Sequence, residues 1–482
     1  MLFKYKKAAT LLIVTAVFTS LIFLTHFEAQ SWNDASRFAT IEQVVENKTF
    51  VIDQSSFFTG DAVFIDGHFY SDKPPVFSVF SSVPYFFLYK IGFIVKACSQ
   101  IMIYLTTVFS VLSFTVIFFI FFYFLSRGYF LLTQSNGEVR GSLNGNHLMI
   151  LLALFITGTA IFPYSTVLNN HLPAGVLCAI AVALSRVAYK PPERKNLFLV
   201  GFLFGLACVI DLSALFFTFI FFLYFVFVEF ASEKDNGDSG LLIDRIFKIV
   251  YFLVGCSLPI LSHWALNLYI TGDIIPASLQ KEFFLYEGSA FNSGNLTGAS
   301  FAIGSAREWF NYFFEVTFGS RGFFIHNPAL LLGFCALPFL ISFEKKLIDK
   351  LFFFACALSI FCVVMYYSLL GKSGGGSAYT VRWFVVFAPM LFIPLARLVQ
   401  IFRKKMYPVI IFILLLSSIW NVPASAFVFK NLSKYPSYNG INAVKKFPNY
   451  LRAQSDQWEN IFVRKKYCEE KEEYDIIKSN SN

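Results

Sequence analysis

The sequence predicts an all-α polytopic membrane protein. Of its 482 residues, 56% are hydrophobic and only 14% are charged, and 64 are phenylalanine. A soluble domain is nearer one quarter charged, so too few charges remain to cover a water-facing surface of this size. Apolar runs of about 20 residues, the length that crosses a bilayer core of roughly 30 Å, recur along the chain.

The apolar runs predict about eleven membrane spans, within a range of about ten to thirteen. The first is preceded by Lys4, Lys6 and Lys7, as in a signal peptide, but no A-x-A cleavage site follows, which favours an uncleaved anchor. A further stretch, Val76–Ala97, either spans or lies at the interface. The spans are Leu11–Phe27, Ile101–Leu125, Leu148–Tyr164, Leu172–Tyr189, Leu197–Ile210, Leu212–Val228, Ile249–Ile270, Phe323–Ser342, Leu351–Leu370, Trp383–Val399 and Tyr407–Phe427.

Basic clusters predict the orientation, because loops rich in Lys and Arg stay in the cytoplasm. The N-terminal lysines place that end inside. The later clusters also face the cytoplasm if Val76–Leu125 makes one net crossing, which is the arrangement we prefer. Residues 1–429 then form a transmembrane domain with outer loops at 27–76 and 271–322, and residues 430–482 form an outer polar tail or a small cap. The formal net charge of +9 is explained by this topology and gives no reason to invoke nucleic acid.

The first outer loop carries most of the polar residues of interest. Ala35–Glu46 has apolar side chains at helical spacing, which predicts an amphipathic helix lying on the membrane. Asp34 is a natural N-cap for that helix, and Arg37, three residues later, predicts a local ion pair. Further on, Lys73 precedes paired prolines, which fix an extended turn and would hold Lys73 at the mouth of the next apolar helix.

Two segments of this loop resemble the GT-C superfamily of membrane glycosyltransferases, which use polyprenyl-phosphate-linked sugars. They are N-D-A-S-R-F-A-T-I, beginning at Asn33, and H-F-Y-S-D-K-P-P, beginning at His68. The closest subgroup is the protein-mannosyltransferase and aminoarabinose-transferase-like branch, in which a D-E-x-R-Y-A pattern is followed by K-P-P. The resemblance covers residues 1–100 best and is looser later in the chain. It departs at Ala35, where that branch often has a second acid, and this weakens a metal assignment.

The resemblance implies a role for each matching residue. Asp34 would be the general base that takes a proton from the acceptor hydroxyl. Lys73 would be the first phosphate partner, and Arg321 and Arg382 would clamp phosphate, although all three also suit the membrane interface. Arg37 would orient Asp34. The candidates for sugar or acceptor contacts are His68, Tyr70, Asp72, Asn170 and His171.

Asp211 lies between apolar runs and is either a functional acid or a helix cap at an outer turn. No cysteine pattern indicates a disulfide framework.

The predicted function is therefore glycosyl transfer at the outer face of a bacterial cytoplasmic (inner) membrane. The donor would be a polyprenyl-phosphate sugar, carrying a hexose or a pentose, and would reach the site from the bilayer. The acceptor would be a glycan, a glycolipid or a protein. No cofactor is assigned, and dependence on a divalent metal stays open. The alternative is a transporter or flippase for a polar or lipid-linked solute, which would show broken helices at membrane depth, intramembrane charges and repeat symmetry.

Overall fold

A computed structural model describes residues 2–128, 145–187, 194–231, 239–292, 296, 304–370, 375–376, 378–429 and 439–463. The described chain is almost entirely helical and contains one short antiparallel hairpin. Its elements are α1 (Leu2–Leu24), α2 (Trp32–Glu46), β1 (Ala62–Ile65), β2 (His68–Ser71), α3 (Pro75–Ser81), α4 (Val83–Lys90), α5 (Val95–Thr107), α6 (Ser113–Gly128), α7 (Gly145–Thr157), α8 (Ile161–Tyr164), α9 (His171–Val187), α10 (Arg194–Ile210), α11 (Leu215–Ala231), α12 (Ser239–Thr271), α13 (Ala306–Phe318), α14 (Phe323–His326), α15 (Pro328–Phe343), α16 (Leu347–Leu370), α17 (Phe392–Ile401), α18 (Arg403–Ala424) and α19 (Asn439–Trp458).

The helices confirm the predicted polytopic class. Within the described residues, six are long and apolar enough to cross a membrane. A seventh span results if Ala306–His326 and Pro328–Phe343, which meet at 102°, are taken together. Shorter apolar helices, including α7, α9 and α10, pack among them. The count of about eleven spans stays a prediction.

Two predicted spans are broken rather than continuous. Trp383–Val399 begins as two 3₁₀ turns, Arg382–Phe387 and Pro389–Leu391, before α17 starts. Pro389 has no amide hydrogen to continue a helical ladder, which accounts for the interruption. Leu148–Tyr164 divides at Gly158 between α7 and α8. A Cβ at Gly158 would lie 2.6 Å from the carbonyl oxygen of Leu414, so only glycine permits α18 to approach this closely.

Val76–Ala97 forms no single helix that could span. It is divided into α3, α4 and the beginning of α5. The carboxylate of Glu46, at the end of α2, accepts hydrogen bonds from the hydroxyl of Tyr85 and, at 3.0 Å, from the amide of Val95. These bonds fasten α4 and α5 to the loop helix. The interfacial alternative therefore fits the structure, and the full span does not.

Helix α2 differs from the amphipathic surface helix that the sequence predicted. Twelve of its fifteen residues are buried, because the loop that follows wraps around it. Glu42 holds this wrapping by accepting hydrogen bonds from the hydroxyls of Ser55 and Ser56, at 2.6 and 2.7 Å, and from the Ser56 amide. The helix is therefore an internal support of the loop.

The hairpin β1–β2 joins the two long loops. It pairs Ala62 with Ser71 and Ile65 with His68. Its buried Val63 and Ile65 pack with Phe284 and Leu296 from the segment after α12. The segments at 27–76 and 271–322 therefore meet over the same ends of the membrane helices.

Helices α10 and α12 touch through their backbones. A Cβ at Gly201 would lie 2.0 Å from the carbonyl oxygen of Phe252, and one at Gly205 would lie 2.3 Å from that of Cys256. Small residues that permit such close approach are a common device for pairing helices in membranes. This contact fixes the end of α10, which leads into Asp211.

The described part of the C-terminal region, residues 439–463, contains α19. Gln454 donates to the carbonyl oxygens of Phe23 and Thr25, both at 2.9 Å, and the indole of Trp458 donates to Phe23 at 2.9 Å. These side chains satisfy carbonyl groups that the end of α1 leaves without helical partners. The described tail thus forms a helix that packs on the transmembrane domain.

Candidate active site

The candidate site is a cavity of about 700 Å³ between the two long loops and the ends of several apolar helices. Charged and polar groups from five separated parts of the sequence line it. They are Asn33, Arg37, Asp61, Asp72, Lys73, Asn170, His171, Asp211 and Arg382.

Arg37 is a buried cation whose contacts are all neutral. One guanidinium nitrogen donates to the backbone and side-chain oxygens of Asn33, at 2.7 and 2.6 Å, and another donates to Oδ1 of Asn170 at 2.6 Å. The side chain is 2% exposed. Burial lowers its pKa to about 10, which leaves the group protonated at neutral pH. Arg37 therefore brings a full positive charge to the cavity.

Lys73 lies between two carboxylates. Its ammonium is 2.7 Å from Asp61 and 2.6 Å from Asp72. Burial by itself would raise the pKa of Asp61, but Lys73 and the nearby arginines hold it below the usual value. Burial raises the pKa of Asp72 despite the same ammonium. Oδ1 of Asp72 is buried with no hydrogen-bond partner among the described atoms.

Arg382 lines the cavity beside a glycine pair. Gly375 and Gly376 have φ of 85° and 74°, a backbone conformation that side chains disfavour. They bring the backbone alongside the guanidinium, so that a Cβ at Gly376 would lie 3.7 Å from its central carbon. Nε of Arg382 is buried without a hydrogen-bond partner, and none of the described carboxylates pairs with it. Arg321 donates at 3.0 Å to the carbonyl oxygen of Gly376 and so lies next to this point.

His171 and Asp211 form a buried pair in the cavity wall. Nδ1 of His171 is 2.5 Å from Oδ2 of Asp211. The other oxygen of Asp211 accepts from the amide and hydroxyl of Ser213, at 3.0 and 2.7 Å. Asp211 thus caps the turn before α11, as one of the two readings predicted, and it also binds the histidine. A functional role for this acid stays a prediction.

Aromatic side chains line part of the cavity. Tyr367 and Trp383 stack with their ring centroids 4.6 Å apart and their planes 9° apart. The remaining aromatic lining residues are Trp32, Phe284, Phe291 and Tyr366. A cavity lined by both cations and aromatic rings suits an amphipathic ligand that carries an anionic group.

Asp34 occupies a different place from the one the sequence predicted. The N-cap of α2 is Ser31, and Asp34 completes a capping box. Its carboxylate accepts from the amides of Gln30 and Ser31 and from the Ser31 hydroxyl, at 2.7 to 2.8 Å. The predicted ion pair with Arg37 is wrong, because that guanidinium turns toward Asn33 and Asn170. Burial raises the pKa of Asp34 to about 6, against the effect of these donors.

Two of the predicted contact residues lie away from the cavity lining. His68 is exposed at the hairpin and bonds to Asp53 at 2.8 Å. Tyr70 lies beside the hydrophobic cluster that joins the hairpin to the second long loop. His68 and Tyr70 are close to Lys73 in the sequence, but they lie on β2, which extends outside the cavity lining. Asp72, Lys73, Asn170, His171 and Arg382, by contrast, do line one cavity.

Sequence reasoning missed Asp61 and Asn33 as cavity residues. Asp61 is one of eight acids in its loop and has no motif of its own. Asn33 precedes the acid of the recognised motif, and its role as an acceptor for Arg37 depends on the turn of a helix.

The described residues contain no group of three or more His, Cys, Asp or Glu that could hold a metal ion. The acids present do not fit one either, since Asp34 caps α2 while Asp61 and Asp72 bind Lys73.

The fold is shared with a known membrane enzyme. The crystal structure of ArnT from Cupriavidus metallidurans bound to undecaprenyl phosphate aligns with this chain with a TM-score of 0.51 and 12% sequence identity. The alignment covers 94% of this chain and 79% of the ArnT chain. Two structures of an archaeal oligosaccharyltransferase from Archaeoglobus fulgidus, one in complex with an inhibitory peptide and a dolichol-phosphate, align with TM-scores of 0.47 and 0.46 and 12% identity. This chain covers 60% of the length of each of those two. No family model and no curated protein sequence matches the chain. The predicted GT-C resemblance is thus confirmed for the fold.

Proposed function

We propose that this protein transfers a sugar from a polyprenyl-phosphate donor to an acceptor hydroxyl at the outer face of a bacterial inner membrane. The shared fold supports the enzyme class, since ArnT is described with undecaprenyl phosphate bound. The transferred group would be a hexose or a pentose, and the acceptor a glycan, a glycolipid or a protein.

The observation that carries the proposal is Arg382 in the cavity lining, whose buried Nε has no hydrogen-bond partner among the described atoms. A buried donor without an acceptor is costly, and an anionic ligand in the cavity that accepts from it would offset that cost. Arginine also binds phosphate in a bidentate manner, which suits a phosphate at a fixed orientation. We therefore place the donor phosphate at Arg382. Arg37, which also lines the cavity, would add to the positive electrostatic potential there.

Lys73 is the second cation of the proposed phosphate site. In the described conformation its charge is shared between Asp61 and Asp72. A phosphate that approaches Arg382 would compete with these carboxylates for Lys73. The developing charge on the leaving phosphate is what such cations stabilise in the transition state.

The aromatic side of the cavity fits the rest of the donor. Tyr367 and Trp383 offer a flat apolar face, and the apolar helices beside it would let a lipid chain enter from the bilayer. In-line displacement at the anomeric carbon, with inversion, needs an acceptor oxygen on the side opposite the phosphate and a base near that oxygen. The sequence predicts Asp34 as that base, although the Asp34 carboxylate already accepts three hydrogen bonds.

The test compares wild-type protein with Arg382→Gln in nanodiscs. Undecaprenyl phosphate would be titrated and its retention measured by native mass spectrometry, and label transfer from a panel of polyprenyl-phosphate sugars to a host lipid and glycan extract would be followed. Arg397→Gln is the control, because Arg397 pairs with Glu344 outside the cavity. We expect Arg382→Gln to lose at least ~10-fold in lipid-phosphate affinity and to abolish transfer, as loss of a charge-assisted bond worth about 1.5–3 kcal/mol requires. Equal retention by all three proteins would contradict the proposal.

The rival function, transport or flipping of a lipid-linked solute, is examined with the same samples. A flippase moves a labelled lipid-linked sugar across a proteoliposome membrane without forming a new glycosidic bond. Movement of donor without any transferred product would replace the glycosyltransferase assignment with that function.

A further inference from the structure

We infer that His171, held in place by Asp211, is the base that removes the acceptor's proton. This inference rests on the proposed glycosyl transfer. It assigns the proton-accepting role to a pair of residues that come from the beginning of α9 and the turn before α11.

The geometry of the pair sets the protonation of the imidazole. Both oxygens of the Asp211 carboxylate are engaged, because Oδ1 accepts from Ser213 and Oδ2 binds Nδ1 of His171. The Nδ1 hydrogen is therefore directed at the carboxylate, which leaves Nε2 as the proton acceptor. Among the described atoms, no hydrogen bond is made by Nε2, while the residue lines the cavity.

A second bond fixes the pair in place. The neighbouring Asn170 donates to the carbonyl oxygen of Ile210 at 3.2 Å, and its own side-chain oxygen binds Arg37. Residues 170–171 are thus tied to residues 210–211 at two successive positions. A base that is held by neighbours on rigid elements keeps its orientation through a reaction.

The carboxylates of the cavity and of α2 are less suited to the task. The Asp34 carboxylate accepts three hydrogen bonds from the N-terminus of α2 and does not line the cavity. Asp61 and Asp72 each bind the Lys73 ammonium, which belongs to the proposed phosphate site.

The proposed step is balanced. The acceptor oxygen forms a bond to the anomeric carbon while its proton passes to Nε2 of His171. The bond from the anomeric carbon to the phosphate oxygen breaks, and its electron pair leaves with the polyprenyl phosphate at Arg382. The imidazolium that results is stabilised by Asp211 and releases its proton to water.

Charged groups around the pair determine how the rate depends on pH. Burial lowers the pKa of His171; Asp211 acts against this by favouring the imidazolium, while Arg382 from the turn after α16 and Arg37 from α2 disfavour it. Transfer should therefore fall at acidic pH as the imidazole becomes protonated. Removal of the Asp211 charge should move this fall to lower pH, which a residue with only a structural role would not do.

The experiment measures single-turnover transfer and undecaprenyl-phosphate retention for wild type, His171→Gln and Asp211→Asn. His263→Gln is the control, because His263 is a buried histidine of α12 that does not line the cavity. We expect His171→Gln to slow transfer by about 10²- to 10⁴-fold, the usual contribution of a general base, with lipid-phosphate retention within about threefold of wild type. Asp211→Asn should slow transfer less and shift the acid limb of its pH profile.

Three outcomes separate the two proposals. If wild type transfers sugar and His171→Gln keeps its rate, the base assignment fails and the function stands. If Asp34→Asn, rather than His171→Gln, loses transfer while retaining the lipid phosphate, the base is Asp34. If wild type neither retains the lipid phosphate nor transfers sugar, both proposals fail. Should His171→Gln not fold, His171→Ala with added imidazole provides the same test, since rescue of transfer by imidazole requires a missing base.

Discussion

Arg37 donates a hydrogen bond of 2.6 Å to Asn170, a residue 133 positions later in the chain. This bond ties α2, the helix inside the first long loop, to the beginning of α9. The side-chain nitrogen of Asn170 in turn donates to the carbonyl oxygen of Ile210, next to Asp211. Arg37 of the first long loop and the pair formed by His171 and Asp211 therefore belong to one hydrogen-bonded network. Several consequences of this network can be measured.

Loss of the amide at Asn170 should destabilise the protein. In Asn170→Leu, a buried guanidinium nitrogen loses its acceptor, and hydrogen bonds to charged groups contribute about 1.5–3 kcal/mol. We expect a fall of that size in the free energy of unfolding, measured by thermal denaturation in a single detergent. Asn47→Leu is the matched control, because Asn47 bonds only at the partly buried end of α2. Equal thermal midpoints for the two variants would contradict this role of Asn170.

Lys73 should stabilise the loop as well as bind an anion. In Lys73→Met, Asp61 and Asp72 face one another without their shared cation, which we expect to cost about 3 kcal/mol. The double variant Lys73→Met with Asp72→Asn removes one of the two negative charges and should recover part of that loss. Chemical denaturation followed by tryptophan fluorescence would measure both. A double variant less stable than Lys73→Met alone would argue against charge repulsion as the cause.

Asp34 should make stability depend on pH in a known direction. Burial raises its pKa from 3.8 to about 6, so the folded state binds more protons than the unfolded state between these values. The contribution of Asp34 to stability is therefore greatest below about pH 4 and falls as pH rises through 6, by about 2–3 kcal/mol in total. The measurement is the difference in unfolding free energy between wild type and Asp34→Asn at pH 4.5 and pH 7. A difference that stays constant over this interval would show that the carboxyl does not titrate there.

The contact between α10 and α12 should tolerate no side chain at Gly201. In Gly201→Ala, the added methyl group would meet the carbonyl oxygen of Phe252 at 2.0 Å and force the helices apart, at a cost of about 3 kcal/mol. Gly304→Ala is the control, because the nearest atom there is the flexible end of Glu308 at 3.3 Å. Detergent-solubilised yield and thermal midpoint should fall only for Gly201→Ala. Similar values for both variants would mean that the helices separate easily.

The sequence predicted those parts of the fold that depend on local chemistry. The paired prolines were expected to fix an extended turn and to exclude a helix from their own positions. Pro74 is extended as expected, but Pro75 is the first residue of α3, because a proline at the first helical position needs no amide partner. Apolar runs located the longer helices. The breaks at Gly158 and Pro389 were not predicted, since they depend on neighbours such as Leu414 that are distant in sequence.

Part of the predicted site lies together in the fold. Lys73, Arg382, Asn170 and His171 line one cavity, whereas Arg321 is not in its lining, and the roles of all these residues stay predictions. Asp34 shows the limit of such reasoning, because a motif identifies an acid without showing which donors surround it. Whether its oxygens face a substrate or an N-terminal turn depends on the conformation of Gln30 and Ser31.

The two carboxylates around Lys73 also bear on selectivity and turnover. An anion that enters the cavity must compete with groups already bound at 2.7 and 2.6 Å, so a small free ion such as chloride or inorganic phosphate gains little at Lys73. A lipid-linked phosphate has the additional attraction of its buried chain, and it can succeed where the free ion does not. In the proposed reaction, the same competition would act on the polyprenyl phosphate that is left, because Asp61 and Asp72 can bind the ammonium again. These carboxylates would then favour release of the product as well as selective binding of the donor.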